Sequence, residues 1–492
     1  MNSTEKIISV EDVQVKHLGR IIFDQLRFSL GRGEHLALVG KSGSGKSALL
    51  NVIAGELPVS RGSIVYPALL HPPEHYQQIA LVGSRHHFQN RSNTRTFYYQ
   101  QRFNASESED AKTVEEYLSE LSFVKPGYWT LEQVMERLSL MDLRGKHLIK
   151  LSNGEAKRLL IASALLRNPK LFLLDHPLSG LDMAARDDFD GLLREVARGG
   201  ATVIMATSPL EVPKLIQKVA LLDDGGVITM LERNAFDDVC FDPIRPVAVD
   251  REELKQLLSV RPFPDFAYAV KMEGVQVRYG EKQILQAIDW EVKRGERWAL
   301  LGPNGAGKST LLSLINGDNP QAYANRIFLF DRRRGSGESI WDIKRKVGFV
   351  SPELFQYFPS RQSCLEVIES GFYDTLGLFK PSQPEMAGLA RRWMLLLGME
   401  REMDRLFSQV SASAQRLCLL ARALVKNPPL LVLDEPGQGL DEVQKLRFKT
   451  LVELVCELCS VTIIYVSHYP NEIPASVNRR IELKEGRIDR IV

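Results

Sequence analysis

Unbroken apolar runs recur along the chain and indicate strands that are buried on both faces. Two of them end alike, since Leu431–Pro436 contains LVLDEP and Leu171–Pro177 reads LFLLDHP. Runs without polar alternation are typical of the inner strands of a parallel sheet. Open α/β sheets bind ligands at the carboxyl ends of such strands. The aspartates of both runs, with Glu435 after one and His176 after the other, are therefore predicted to lie at a ligand-binding edge.

Several segments of the first half of the chain return in the second half at a constant spacing. Val13–His17 matches Val275–Tyr279 and Gly40–Ser47 matches Gly302–Ser309, at 302 − 40 = 262 residues. In each copy short apolar strands alternate with helical patterns, which favours an α/β domain with a largely parallel sheet. The chain is therefore interpreted as a tandem duplication of one α/β unit.

A stretch with four prolines separates the two copies. The predicted first domain covers 6–233, the linker 234–268 and the second domain 269–492. Within the linker, Arg251–Val260 is predicted to form a short helix. The first copy also carries a polar insertion, 86–112, which is either an excursion loop or a partner-binding flap.

Each copy contains the string G-x-x-x-x-G-K-S between a predicted strand and a predicted helix. Its glycines let backbone N–H groups wrap phosphates, and the helix N-terminus adds positive potential. The amines of Lys46 and Lys308 are predicted to reach the β- and γ-phosphates, and the hydroxyls of Ser47 and Ser309 to bind Mg²⁺. The predicted nucleotide-binding residues of the two loops are Gly40, Ser42, Gly43, Ser44, Gly45, Lys46, Ser47 and Ala48, and Gly302, Asn304, Gly305, Ala306, Gly307, Lys308, Ser309 and Thr310.

The strand-end carboxylates predict the chemistry of hydrolysis. Asp175 and Asp434 are expected to hold Mg²⁺ through water. Glu435 is placed to orient or deprotonate the attacking water, although a solvated strand-end carboxylate is the plainer interpretation. Tyr279 precedes its loop by 302 − 279 = 23 residues and is either an adenine-stacking ring or an ordinary strand-end side chain. His17 holds the same place in the first copy, with the same two interpretations.

Composition excludes several classes of function. Of the 492 residues, 44% are hydrophobic and 25% are charged, as in soluble globular proteins. A chain of this length is too long for a single hydrophobic core. The net charge of +2 gives no global attraction to nucleic acid or anionic lipid, so no direct nucleic-acid binding is expected. The basic cluster Arg332–Arg334 is interpreted as a solvated loop. No apolar run reaches the roughly 18 residues of a membrane span, so any membrane role requires a partner.

Cysteine usage favours a reducing compartment, because the five cysteines are sparse and odd in number. Cys456 and Cys459 have the spacing of a metal-ligand pair, but no second pair accompanies them. They lie in an apolar helical pattern and are interpreted as a buried helix face rather than a metal or redox site.

Together these motifs resemble the ATP-binding cassette (ABC) ATPases over nearly the whole chain. That family has a further motif, L-S-G-G-Q, about twenty residues before the strand that ends in aspartate. Leu151–Glu155 reads LSNGE, a close match, whereas Val410–Ala414 reads VSASA and keeps only the serine. His468 stands where the family has a histidine after the next strand, and Ser208 is its counterpart in the first copy.

The resemblance implies two cassettes paired head to tail, with each ATP between the P-loop of one and the signature motif of the other. One site would then be complete, with Glu435, His468 and Lys308 as catalytic residues, Ser309 and Asp434 for Mg²⁺, and Ser152, Asn153, Gly154 and Glu155 as signature residues. The other site has His176, Ser208 and Ser413 in place of the glutamate, the histidine and the signature glycine. Because all three losses fall on one site, we expect pairing within one chain, with one hydrolytic and one degenerate site that still binds ATP.

The family usually has a glutamine that couples ATP to a membrane permease. The aligned positions here are Ser84 and Pro352, which departs from conventional coupling. Arg332–Lys344 and Ile315–Pro320 resemble a subgroup of tandem ATPases named for molybdenum transport. The resemblance implies a cytoplasmic ATPase, peripheral on the inner face of the membrane where a permease partner exists.

The alternative is a non-transport ATP switch, either ribosome-associated like the ABC-F proteins or with a stress or repair role. ABC-F proteins usually keep both catalytic glutamates and carry a long charged helical linker. Here only Glu435 remains, and the linker is short and proline-punctuated.

Overall fold

The computed structural model describes residues 5–17, 20–41, 43–83, 112–121, 127–179, 181, 183–223, 228–237, 249–259, 265–280, 282–358, 361–438, 440, 442–467 and 472–492. The described residues through 237 form one compact unit and those from 249 form a second. None of the described helices is long and apolar enough to cross a membrane.

The first unit combines a parallel sheet with a smaller antiparallel one. Its strands are β1 Lys6–His17, β2 Arg20–Gly31, β3 Leu36–Gly40, β4 Arg61–Val65, β5 Ile79–Val82, β6 Leu171–Asp175, β7 Thr202–Ala206, β8 Lys218–Leu222 and β9 Ile228–Glu232. The larger sheet has the order β5-β6-β7-β3-β8-β9 and is parallel except for the β8–β9 pair. The smaller sheet has the order β2-β1-β4.

The second unit repeats this plan. Its strands are β10 Tyr268–Tyr279, β11 Lys282–Lys293, β12 Arg297–Leu301, β13 Arg326–Leu329, β14 Arg332–Arg333, β15 Val347–Val350, β16 Leu430–Asp434, β17 Thr462–Val466, β18 Arg479–Lys484 and β19 Arg487–Ile491. The larger sheet runs β15-β16-β17-β12-β18-β19 and the smaller β11-β10-β13-β14. The two matching strand orders confirm the predicted duplication of one α/β unit.

The helices cover the faces of the parallel sheets. In the first unit they are α1 Lys46–Ile53, α2 Val114–Leu121, α3 Leu131–Arg137, α4 Asn153–Leu165, α5 Met183–Asp187, α6 Phe189–Arg198 and α7 Arg233–Asp237. In the second they are α8 Arg251–Ser259, α9 Lys308–Asn316, α10 Ile340–Lys344, α11 Pro352–Tyr357, α12 Cys364–Glu369, α13 Pro384–Leu396, α14 Ala412–Leu424 and α15 Glu442–Leu458. Short 3₁₀ turns cover Glu74–Gln78, Met141–Leu143, Leu148–Lys150, Pro209–Glu211, Pro320–Ala324, Ser370–Phe372, Glu400–Glu402 and Phe407–Gln409.

Strand β6 shows why its sequence has no polar alternation. Every residue of β6 is buried. Leu171 and Leu173 join one hydrophobic cluster, and Phe172 and Leu174 join another on the opposite face of the sheet. Strand β16 divides its side chains between two clusters in the same way. Because both faces are covered, each strand is apolar until its last residue, the aspartate.

The stretch predicted as a linker is only partly a linker. Helix α7 overlaps its first residues, and Phe236 packs into the core of the first unit. The predicted short helix is confirmed as α8, whose Leu254 and Leu257 are buried in the core of the second unit. Arg392 of α13 also binds Glu253 through two contacts of 2.7 and 2.8 Å. Helix α8 therefore belongs to the second unit.

Two of the composition-based interpretations meet different outcomes. Cys456 is buried in α15, as expected for a helix face, whereas Cys459 follows α15 and is only partly buried. The solvated-loop interpretation of Arg332–Arg334 is wrong for Arg334, which is buried. Its guanidinium lies 2.7 Å from the carboxylate of Glu338 and 4.8 Å from the ring of Tyr323. A nearby carboxylate and ring offset the cost of burying this cation.

Candidate nucleotide-binding sites

In the first unit, β3 runs into the glycine-rich loop and α1 begins at the lysine of that loop. Gly45, immediately before α1, has a φ of 95°. A Cβ at Gly45 would lie 2.7 Å from Cζ of Phe23, so the position admits only glycine. The first N–H groups of α1 are thereby directed into the loop, where they favour an anion.

The second unit builds its loop in the same way between β12 and α9. Gly307 precedes α9 with a φ of 103°, and a Cβ there would lie 2.7 Å from Cδ2 of Leu285. Helix α9 begins at Lys308, as α1 begins at Lys46. Both predicted loops therefore have the geometry of phosphate-binding loops.

The loop lysines are held by loop carbonyls. Nζ of Lys46 donates to the carbonyl oxygens of Gly40, at 2.7 Å, and Lys41, at 2.8 Å. Nζ of Lys308 donates to those of Gly302, at 2.7 Å, and Pro303, at 3.0 Å. These contacts keep both ammonium groups at the loops, where phosphate oxygens are stronger partners for a cation.

Ser44 provides an independent sign of a ligand in the first loop. Its hydroxyl is buried and makes no hydrogen bond within the described residues. Buried hydroxyls normally have a partner, and a phosphate oxygen would supply an acceptor. The residues present therefore fit a nucleotide.

The predicted metal-binding residues come together in the first unit. Oγ of Ser47, in the first turn of α1, donates to Oδ1 of Asp175 across 3.0 Å. Asp175 ends β6 and is buried, and Asp434 ends β16 and is buried likewise. Ser309 occupies the matching place in α9. A hydroxyl beside a carboxylate is a donor set that suits Mg²⁺ on a nucleotide.

The residues after the two aspartates share an unusual backbone. Glu435 has a φ of 44° and His176 a φ of 45°, in the left-handed region that non-glycine residues rarely enter. The Glu435 N–H donates to the carbonyl of Val466 at 2.9 Å, and the His176 N–H to that of Ala206 at 3.0 Å. The two positions are therefore equivalent in backbone and differ in side chain only.

Comparison with known proteins assigns the two halves of the chain to one family. The family profile described as ABC transporter matches residues 23–179 and again residues 285–438. The chain belongs to this family.

ABC cassettes form a family of ATP-binding, ATP-hydrolysing domains, so the protein is an ABC-type ATPase. It is 32% identical over 477 residues to the ABC transporter ATP-binding protein ModF of Escherichia coli, covering 95% of this chain and 94% of that protein. It is 30% identical over 480 residues to an uncharacterized ABC transporter ATP-binding protein of Schizosaccharomyces pombe, covering 95% and 96%.

Solved structures agree on the fold. A model of ribosome-bound archaeal Pelota and ABCE1 matches with a TM-score of 0.61 at 19% identity, covering 98% of this chain and 78% of that one. A structure titled RNase-L Inhibitor matches with a TM-score of 0.52 at 18% identity, covering 98% and 90%. Both similarities concern the fold alone and not the binding partners.

In the ABC signature of the first cassette, Ser152 caps α4. Its hydroxyl accepts from the N–H of Glu155, whose carboxylate accepts from the N–H of Ser152 at 2.7 Å. The Glu155 carboxylate also binds Lys146 at 2.6 Å and is buried. These contacts direct the oxygens of Glu155 to the start of its own helix, and its predicted nucleotide contact stays a prediction.

The second signature keeps only part of this cap. Ser411 accepts from the N–H of Ala414 at 3.2 Å, and no glutamate follows at the third helical position. Ser413, where the family has a glycine, is buried. Gln415 donates instead to the carbonyls of Phe407 and Val410. The segment therefore still begins a helix. It has a serine side chain in place of the glycine that would leave room for a phosphate.

Lys157 is a functional-site residue that the sequence reasoning missed. Its Nζ donates to the carbonyl oxygens of Gly83, at 3.0 Å, and Asp175, at 3.2 Å. Lys157 thereby connects the signature helix α4 to the ends of β5 and β6. Lys157 and Arg158 form an adjacent basic pair shortly after the signature motif, and this pair was the available signal. In the second cassette Arg416 stands at the matching position, 4.4 Å from the ring of Phe355.

In the first cassette, Ser208 stands at the position of the family's histidine and makes a different contact. Ser208 donates its hydroxyl proton to Glu211 at 3.0 Å, and Arg186 binds the same carboxylate at 2.6 Å. Nε2 of His176 lies 4.0 Å from Oδ1 of Asp175. Burial lowers the pKa of His176, and the charge of Asp175 opposes that effect.

The remaining predicted contacts are only partly described. Tyr279 ends β10, and its hydroxyl accepts from Nδ2 of Asn319 at 2.9 Å. Ser42, His468 and most of the insertion 86–112 lie outside the described residues, as do the side chains of His17 and Asn153. Adenine stacking on Tyr279 stays a prediction.

The buried amine of Lys157 generates a pH-dependent prediction. Burial lowers its pKa from the ordinary 10.5 to about 8, against the attraction of Asp175. Between these values the unfolded chain binds more protons than the folded one, so this group makes stability rise with pH. Lys157→Met should reduce the slope of unfolding free energy against pH, between about pH 8 and 10, by up to about 1.4 kcal/mol per unit.

Chemical denaturation across that pH range measures the slope. Leu160→Met on the same helix is the uncharged control and should keep the slope of the parent protein. An unchanged slope in Lys157→Met would contradict the assignment of a buried, titrating amine.

Proposed function

We propose that only the site built on Glu435 hydrolyses ATP, and that the site built on His176 holds nucleotide as a structural clamp. The supporting observation is the shared left-handed backbone of the two positions, with φ values of 44° and 45°. Of the two side chains, only Glu435 supplies an anionic oxygen that can orient a water and accept its proton. Hydrolysis is therefore assigned to the second P-loop.

The other roles follow from the positions of the residues. In this proposal Lys308 contacts the β- and γ-phosphates and His468 contacts the γ-phosphate. Ser309 and Asp434 hold Mg²⁺, which when bound neutralises phosphate charge. Ser47 and Asp175 hold the metal of the clamp site.

We infer further that ATP turnover energises solute transport through a separate membrane permease. The support is the likeness to ModF, an ABC transporter ATP-binding protein, over 95% of this chain. Molybdate is the first solute to test, by resemblance to the molybdenum-named subgroup. The protein would then work in the cytoplasm, peripheral to the inner face of the membrane.

One observation favours a second candidate, a non-transport ATP switch. Pro352, at the position of the coupling glutamine, begins α11, and Ser351 caps that helix by accepting from the N–H of Leu354 at 3.1 Å. Proline has no side-chain amide with which to link a phosphate to a permease contact. Under this candidate the partner is a ribosome or a stress or repair protein.

Glu435→Gln should lower ATP hydrolysis at least about 10²-fold while ATP binding persists, because the change removes the proton acceptor and keeps the shape. Steady-state phosphate release and equilibrium binding of ATP measure the two properties. Glu457→Gln, an exposed position of the same cassette, is the matched control. Substantial turnover in Glu435→Gln would place the catalytic base elsewhere.

His176→Glu should leave the hydrolysis rate within about twofold of the parent protein, since Ser208 would still stand in place of the histidine of that cassette. Phosphate release by His176→Glu/Glu435→Gln isolates the first site and should stay near background. A several-fold gain would show that this site lacks only its glutamate.

Affinity capture separates the two partner classes. Full-length Glu435→Gln, loaded with ATP, is used as bait for solubilised membranes and, separately, for ribosomal fractions. The transport proposal expects one polytopic membrane protein that is retained with ATP and released with ADP. Retention of ribosomes, with no membrane protein, would overturn the transport proposal in favour of the switch.

A further inference from the structure

The clamp site contains an unusual set of donor atoms around one carboxylate oxygen. Oδ1 of Asp175 lies 3.0 Å from Oγ of Ser47 and 4.0 Å from Nε2 of His176. A hydroxyl, a carboxylate and an imidazole therefore meet where the nucleotide's metal ion is expected. The second cassette has Glu435 in place of the imidazole, on the same backbone, so its corresponding side chains offer oxygen only.

The imidazole of His176 is available as a ligand. It makes no hydrogen bond within the described residues, and its backbone is fixed by the bond to the carbonyl of Ala206. The neighbouring cations are bound to groups other than His176. Lys46 donates to loop carbonyls, and Lys157 donates to the carbonyl oxygens of Gly83 and Asp175. The neighbouring Glu211 is engaged by Ser208 and Arg186.

We propose that the first cassette's nucleotide site selects a borderline divalent transition metal, of the Co²⁺ or Zn²⁺ type, over Mg²⁺. Mg²⁺ favours oxygen ligands in strict octahedral geometry, whereas an imidazole nitrogen raises affinity along the first transition series. This inference rests on the proposed function, in which the first site binds nucleotide without turning it over. The two sites of one chain then differ in metal preference as well as in hydrolysis.

The metal is acquired together with the nucleotide. The described residues hold no group of three His, Cys, Asp or Glu side chains that would bind a metal alone. Phosphate oxygens must complete the set of ligands supplied by Ser47 and His176, with Asp175 holding the metal through water. Binding of the transition metal at this site is therefore dependent on nucleotide.

The test uses the full-length protein with Lys308→Met, which weakens binding at the second site, and a non-hydrolysable ATP analogue. Calorimetric titration gives the affinity for the analogue in Co²⁺ and in Mg²⁺. We expect the Co²⁺-to-Mg²⁺ affinity ratio to be at least about tenfold higher with His176 than with His176→Glu in the same background. The visible d–d absorption of bound Co²⁺ should show a nitrogen ligand, and His176→Gln should remove that signature.

The duplication supplies a reciprocal variant. Glu435→His combined with Lys46→Met should move the Co²⁺ preference and the nitrogen signature to the second site. Equal affinity ratios with and without His176, or a nitrogen signature that survives His176→Gln, would overturn the metal proposal and leave the clamp intact. Failure of the folded Lys308→Met protein to bind the analogue with either metal would overturn both the clamp and its metal preference.

Discussion

Burial of one strand on both faces is the constraint on which each cassette depends. Strands β6 and β16 lie inside their sheets between two hydrophobic clusters, so their only polar residue comes at the last position. The chain must then turn immediately, and His176 and Glu435 do so with positive φ. Such backbone costs about 1–3 kcal/mol and persists only where its surroundings hold it in place. Here the holding contact is the N–H bond to the neighbouring strand's last residue, Ala206 or Val466.

The duplication separates scaffold from chemistry. The strand order of the larger sheet, the loop glycines and the strained turn are the same in both cassettes, whereas the side chain that follows the strand-end aspartate differs. Even the supporting contacts recur, because Arg186 and Glu211 in one cassette correspond to Lys445 and Glu472 in the other, at 2.6 and 3.1 Å. Divergence has therefore changed side chains at the phosphate end of the site without changing the frame that presents them.

Patterns in the sequence predicted the elements but not the partners of individual charged side chains. The duplication, the glycine-rich loops between strand and helix, the buried strands and α8 follow from repeats, periodicity and glycine placement, and the structure confirms these elements. Three features depended on particular partners that periodicity does not identify. Arg334 is buried with Glu338, four residues further on, and with Tyr323, and Lys157 bridges Gly83 and Asp175. Glu155 is turned inward by Lys146, six residues before Ser152. No spacing rule states which carbonyl or ring will lie opposite a charge.

The retained strain at His176 bears on what the first cassette does. A site without function would relax if a substitution relieved a cost of about 1–3 kcal/mol, and a glycine would do so at this position. Instead a large imidazole is held beside Asp175, with Lys157 anchored behind the same aspartate. The frame that positions the carboxylate of Glu435 in the second cassette thus positions an imidazole in the first. In the function we propose, holding a nucleotide and its metal requires that frame, whereas activating water also requires the carboxylate of Glu435.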